Sequence, residues 1–166
     1  MERNEHTREP YPSLEGTVAN CRLACELARS HIGELNSVSE YIYQSIMFEE
    51  TMPELSDIFD ELAMDEMNHF RLLGELIRTL GGDPALRTAV RNSGGLVMRE
   101  DKGCRAYVAA SRELRRNIAD ELAAYNEYMR LAALSERMGQ LPAAALLRRI
   151  AADEREHRQR QEELLR

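Results

Sequence analysis

Apolar residues fall at three- and four-residue steps through most of this chain, a period that predicts helices rather than strands. Leu23, Leu27, Leu35, Val38, Ile42 and Ile46 set the rhythm of a first helix over about residues 17–50. Thr51-Met52-Pro53-Glu54 then reads as a turn with a capping box, Thr51 capping the next helix and Glu54 reaching back. The second helix runs to about Leu80, where Gly81-Gly82-Asp83-Pro84 stops it. Residues 81 to about 101 lack a strong period and carry Gly94 and Gly95, the marks of a long connection. A third helix follows to about Met138 and ends at Gly139; Pro142 suits the first turn of a fourth that continues nearly to Arg166. The first dozen residues hold Pro10, Pro12, several charges and no period. Residues 1–13 are therefore expected to form a flexible arm, and residues 14–166 a single bundle domain.

The two halves repeat. Asp65-Glu66-Met67-Asn68-His69 is echoed by Asp153-Glu154-Arg155-Glu156-His157, an offset of 154 − 66 = 88. Glu34-Leu35 and Glu40-Tyr41 in the first helix match Glu121-Leu122 and Glu127-Tyr128 in the third, with 121 − 34 = 87. A turn absorbs the single-residue difference. Two similar antiparallel hairpins imply a pseudo-twofold, all-α four-helix bundle. The second helix is about 27 residues long, or roughly 40 Å. A linker of about 20 residues reaches up to roughly 66 Å, enough to run the length of the bundle as a crossover.

Glu and His three apart lie on one helix face, so each repeated phrase can offer a carboxylate and an imidazole to one metal ion. The upstream partners follow from geometry. Residues equidistant from a hairpin turn lie level, and Glu34 with Glu66 centres on residue 50 while Glu121 with Glu154 centres on 137.5. Glu40 and Glu127 pass that test almost as well, so facing decides. Seven residues advance a helix by about 700°, nearly two turns, whereas six leave a side chain about 120° away. Tyr41 and Tyr128 thus share a face with Glu34 and Glu121, among Leu27, Val38, Leu114 and Ile118; Glu40 neighbours Gly33, Asn36 and Gln44. Glu34 and Glu121 are expected to point inward. Four inward glutamates repel and are costly to desolvate, and two divalent ions balance them with both histidines neutral. The expected ligands are Glu34, Glu66, His69, Glu121, Glu154 and His157. Oxygen donors with one imidazole per ion suit iron or manganese, and zinc could also bind.

Composition narrows the alternatives. The chain has no Trp, aromatics are 5%, and the net charge is −7, which argues against a nucleic-acid or membrane-surface role. No stretch approaches the ~20 apolar residues of a membrane span, and the polar N-terminus does not read as a signal peptide. Three cysteines, Cys21, Cys25 and Cys104, with no Cys-x-x-Cys pair, suggest a reducing cytoplasm and no thiolate metal site. They read as ordinary core or surface residues, His31 as a packed or exposed histidine, and the alternating charges around Arg112, Arg115, Arg116, Arg148 and Arg149 as solvated faces.

The repeated Glu-x-x-His motifs with their upstream glutamates resemble the ferritin-like superfamily of dinuclear carboxylate proteins over about residues 20–165. The resemblance implies that Glu34 and Glu121 are bridging or terminal ligands, that the two motifs hold one ion each, and that Tyr41 matches a tyrosine near the bacterioferritin centre. Rubrerythrins add a Cys-rich iron domain and a further glutamate where Ala124 stands. Met67 occupies the position of the bacterioferritin haem ligand but is expected to be a core methionine, so haem is not expected. Only nine residues follow His157 (166 − 157), too few for the fifth helix of cage-forming ferritins. Manganese catalases share the motif set. The leading expectation is an oxidoreductase acting on H2O2 or O2 through two Fe or Mn ions, with Tyr41 and Tyr128 as hydrogen-bond or electron donors, in a small homodimer. Iron storage and purely structural metals are the alternatives.

Overall fold

A computed structural model describes residues 9–86 and 104–166, the side chains of 104–109 excepted. Four helices carry it: α1 Cys21–Phe48, α2 Pro53–Thr79, α3 Cys104–Arg137 and α4 Leu141–Leu164. No strand occurs among the described residues.

The helix ends show which local signals decide. α1 starts four residues later than the periodicity suggests, because the Asn20 side chain accepts from the Leu23 backbone at 3.0 Å and caps it. The capping box at the α1–α2 turn does not form. Pro53 takes the first helical position, which its fixed φ suits, so the cap falls on Met52 and Thr51 lies one residue too early. α2 ends as expected, with Gly81 at φ +85°, its N–H on the Arg78 carbonyl and the Gly82 N–H on that of Ile77. Gly82 is also required for contact, since an added Cβ would lie 2.9 Å from Ala24 Cβ.

α1 packs along α2 and α3 along α4, giving two antiparallel hairpins. Their apolar residues gather into two clusters at opposite ends of the bundle. One joins Leu23 and Leu27 to Leu73, Leu76, Leu131 and Leu147; the other joins Tyr41 and Phe48 to Phe59, Leu62 and Leu114. The start of α1 is therefore level with the end of α2, the end of α3 and the start of α4. α2 finishes at one end of the bundle and α3 begins at the other, as a crossover requires. Residues 87–103 of this connection lie outside the described residues.

Not every apolar position of α1 faces the core. Leu23, Leu27 and Val38 do, but Ile42 and Ile46 are exposed and lie beside the buried face. Between hairpins the contacts are partly polar. Gln44 of α1 and Asn117 of α3 exchange two buried amide hydrogen bonds, at 3.1 and 2.7 Å. Replacing only Gln44 by Leu strands the Asn117 amide and should cost about 1–3 kcal/mol in chemical denaturation. Adding Asn117→Leu should recover most of that loss; two additive losses would show that the pair is not coupled.

Candidate metal centre

A polar layer separates the two apolar clusters. Each helix contributes to it from its middle, Glu34 from α1, Glu66 and His69 from α2, Glu121 from α3, and Glu154 and His157 from α4. All six are buried. Helical spacing stacks Glu66 on His69 and Glu154 on His157, and the level of the two hairpins brings Glu34 and Glu121 beside them. The structure thus gathers every ligand expected from the sequence. Glu40 instead lies at the surface, beside Arg116 and the Gln44 amide, and Glu127 pairs with Arg130 at 2.8 Å.

The donor atoms form two overlapping groups, each with all atoms within 4.8 Å of one another: Glu34, Glu66, His69 and Glu154, and Glu66, Glu121, Glu154 and His157. Glu66 and Glu154 belong to both. The shared carboxylates are therefore those of the motifs, while Glu34 and Glu121 each serve one group. Either group could hold a metal ion. Several donor atoms are close without being hydrogen-bonded: His157 Nδ1 lies 3.0 Å from Glu66 Oε1, yet both atoms, and Glu154 Oε1, are buried with no hydrogen-bond partner. Atoms converging on a point rather than on each other are what a cation's ligands should look like.

The imidazoles are oriented from behind. His69 Nε2 lies 3.2 Å from Asp153 of the opposite hairpin, and His157 Nε2 lies 3.2 Å from Asp65. Each ring would donate through Nε2 and turn Nδ1 toward the glutamates, fixing the tautomer a metal ligand needs. The repeated Asp one turn before each His was the sequence signal for this pair, although each Asp serves the other motif's His. Asp153 also accepts from Tyr11 at 2.8 Å and from Arg149. Burial works against its ionisation, but His69, Arg149 and Tyr11 outweigh that and bring it to about 2.

Burial, together with the neighbouring Glu66, pushes Glu34 well above the carboxylate range, and burial with Glu154 and Glu66 does the same to Glu121. Burial opposes charge on Glu66 and Glu154 too, but a hydrogen bond with Glu34 and then the imidazoles hold Glu66 below the usual value, and the imidazoles do the same for Glu154. Burial likewise opposes charge on the histidines. Asp153 and Glu154 nevertheless raise His69 well above its ordinary value, and Asp65, Glu154 and Glu66 raise His157.

Of the two tyrosines, Tyr41 reaches the centre: its hydroxyl donates to Glu121, and Gln161 donates to both, at 3.0 Å to Tyr41 and 3.2 Å to Glu121. Tyr128 is buried in the apolar cluster and makes no hydrogen bond to these carboxylates among the described residues. Burial and the nearby Glu121 hold the Tyr41 phenol well above its ordinary value, so it stays protonated. A cleft of about 690 Å³ between α1 and α3 opens onto Glu34, Glu66, Glu121 and Glu154, with small residues such as Gly33, Ser37 and Ala124 along it. The imidazoles do not line it.

A family model for the ferritin-like domain matches residues 27–106. The four-helix architecture and the buried glutamate–histidine layer agree with that match. The fold is a ferritin-like four-helix bundle. A search of curated proteins gives no match. Against other expectations for ferritin-like chains, Met67 is not a core residue, because its position on α2 turns outward and leaves it 48% exposed. His31 is buried and stacks on Phe70 with ring centres 4.2 Å apart, away from the six-residue layer. Cys21 and Cys25 are exposed, and no helix among the described residues is long and apolar enough to cross a membrane.

Metal loading should expel protons. Below the raised values, Glu34, Glu121, His69 and His157 each hold one, so 2 + 2 gives up to four per chain, matching the charge of two divalent ions. Calorimetry in buffers of different ionisation enthalpy should count fewer protons as pH rises through those values, with tighter binding. Glu34→Gln should reduce metal uptake and Glu40→Gln should not; the reverse result would refute the inward placement of Glu34.

Proposed function

We propose that this ferritin-like protein is a dinuclear iron or manganese oxidoreductase acting on H2O2 or O2. The observation that carries the reading is the sharing of Glu66 and Glu154 between two four-ligand groups, which would hold two ions as neighbours rather than as separate structural sites. Two such ions would supply a two-electron couple, each passing between the +2 and +3 states.

The residues support that chemistry by position. Glu34 and Glu121 each serve one group and line the cleft, where a carboxylate can swing between one and two donor atoms as charge at the centre changes. The cleft admits a small oxidant to the carboxylate side, and the imidazoles stay behind, held by Asp65 and Asp153. Tyr41 keeps a proton at Glu121 Oε1, and Gln161 fixes the direction of both groups. That phenol would offer a proton to a reduced oxygen atom held at this end of the layer. The anionic ligand shell favours the more highly charged metal states electrostatically.

We also propose a small assembly, a homodimer. Ile42 and Ile46 of α1 with Met64 and Met67 of α2 leave apolar surface on the first hairpin that a second copy would cover.

Stopped-flow mixing of reduced, Fe- or Mn-loaded protein with peroxide tests the function. Evolution of O2 with Mn would indicate peroxide dismutation, and iron oxidation without a mineral core would indicate an oxidase or peroxidase. Tyr41→Phe should slow the reaction by about 10²-fold if the phenol supplies a proton in the rate-limiting step. Inertness with both metals, in protein shown to hold two ions, would leave a structural metal role. A particle mass near half a megadalton would favour storage.

A further inference from the structure

The cleft beside the centre is much larger than H2O2 or O2 requires. It encloses about 690 Å³. A water molecule takes about 30 Å³ of liquid, and peroxide on the order of twice that. Openings of several hundred cubic ångströms are of the size that holds organic molecules. Two ion pairs frame it by tying α1 to α3, Glu26 with Arg130 at 3.3 Å and Glu40 with Arg116. They stand 14 residues apart on each helix (40 − 26 and 130 − 116), or about 21 Å. Midway between them Gly33 is level with Ala123, and both line the cleft. Its floor is Glu34, Glu66, Glu121 and Glu154.

Nothing in the packing requires glycine at position 33. The residue lies inside α1, where glycine is less favourable than alanine. Elsewhere glycine answers a positive φ, as at Gly81, or a close contact, as at Gly82. Gly33 does neither: its φ is not positive, and a Cβ built there meets nothing within 4 Å among the described residues. What its missing side chain does is leave the cleft unfilled next to Glu34. Ala123 and Ala124 keep the α3 wall low, and Ser30 and Ser37 stand about one turn to either side of Gly33. The two arginines of the lining are offset by acids, Arg116 by Glu40 and Arg29 by Glu127. With four glutamates beneath, the space disfavours an anion and suits a neutral molecule.

We propose that Gly33 is a specificity-determining residue, whose open space admits neutral organic hydroperoxides to the centre in addition to H2O2. The inference rests on the oxidoreductase reading and names a further class of oxidant for it. The hydroperoxide group would reach the carboxylate floor while the organic group occupies the cleft between Gly33 and Ala123. The reaction balances without another reagent. ROOH takes two electrons from the reduced centre and two protons, its O–O bond breaks, and ROH and water leave. Gly33 selects by size alone and transfers neither proton nor electron.

The test mixes H2O2 or cumene hydroperoxide with reduced, metal-loaded wild type, Gly33→Ala and Gly33→Leu. Cumyl alcohol, the unreactive product, serves as a binding probe of the metal-free proteins, followed by saturation-transfer nuclear magnetic resonance. Wild type should be oxidised by both peroxides and should bind the alcohol. Gly33→Leu should slow cumene hydroperoxide by about 10²-fold and H2O2 by less than about threefold. It should also abolish the alcohol signal, with Gly33→Ala between the two. Both variants should keep the wild-type metal content and melt no lower than wild type, because the added side chain enters open space and favours the helix. The proposal is overturned if wild type reacts with H2O2 and not with cumene hydroperoxide, if Gly33→Leu slows both equally, or if that variant loses metal. Inertness of wild type toward both peroxides, with two ions bound, would overturn the oxidoreductase reading and this inference with it.

Discussion

Four carboxylates packed against one another inside a helical bundle are the constraint from which the rest follows. Each would lose several kcal/mol of hydration if buried charged and unpaired. The structure never leaves them so. Burial holds Glu34 and Glu121 well above the carboxylate range, while neighbouring hydrogen bonds and imidazoles hold Glu66 and Glu154 below it. The layer adds little apolar burial of its own, so the helices extend well beyond it on both sides. Phe59 and Leu62 anchor one end and Leu73, Leu76, Leu147 and Ile150 the other. Burying each such side chain yields about 1.5–3 kcal/mol, and only long helices supply enough of them on either side of a polar middle.

The same layer ties the hairpins together. Each hairpin alone would possess one imidazole, one motif carboxylate and one upstream glutamate, which completes neither group. Glu154 reaches across to the His69 side and Glu66 to the His157 side. Asp65 and Asp153 cross in the same sense, each orienting the histidine of the opposite hairpin. Elsewhere the α1–α3 seam is thin, resting on the Gln44–Asn117 amides and on surface pairs such as Arg130 with Glu26. Exposed ion pairs contribute little. The thin seam also leaves the cleft, so the opening that would admit an oxidant and the reliance on the centre for cohesion have one cause: small residues where two helices face each other.

Periodic features were legible in the sequence, and contacts made by aperiodic residues were not. The helices, their hairpin pairing and the gathering of the six glutamates and histidines rest on regular spacing, and the facing of Glu34 over Glu40 followed from the helical angle between them. The Thr51 cap failed because a proline at the first helical position outranks a threonine two residues earlier. Ile42 and Ile46 satisfy a three-to-four-residue rhythm without facing the core, since α1 carries two adjacent apolar stripes. Met67 was misplaced for a similar reason: it neighbours Glu66, and consecutive helical residues point about 100° apart. Tyr11 gave no signal because its partners, Asp153 and Arg149, lie about 140 residues away and its own segment has no period. Gln161 gave none because its repeat counterpart, at 161 − 88, is Leu73.

Those two residues show where the internal symmetry stops. It holds for the atoms that would touch metal and for the aspartates behind the two histidines, and breaks at Tyr11, Arg149 and Gln161. The division has a physical basis. Charge balance binds both halves equally, since removing any one ligand carboxylate would leave a cation under-neutralised at either position. The groups behind have only to orient a ring or a carboxylate, which different side chains can do equally well. Gln161 and Tyr41 orient Glu121 from one end of the bundle, while Tyr11 and Arg149 work on His69 from its outer surface. A duplicated hairpin can thus keep its buried glutamates and histidines intact while the residues around them diverge.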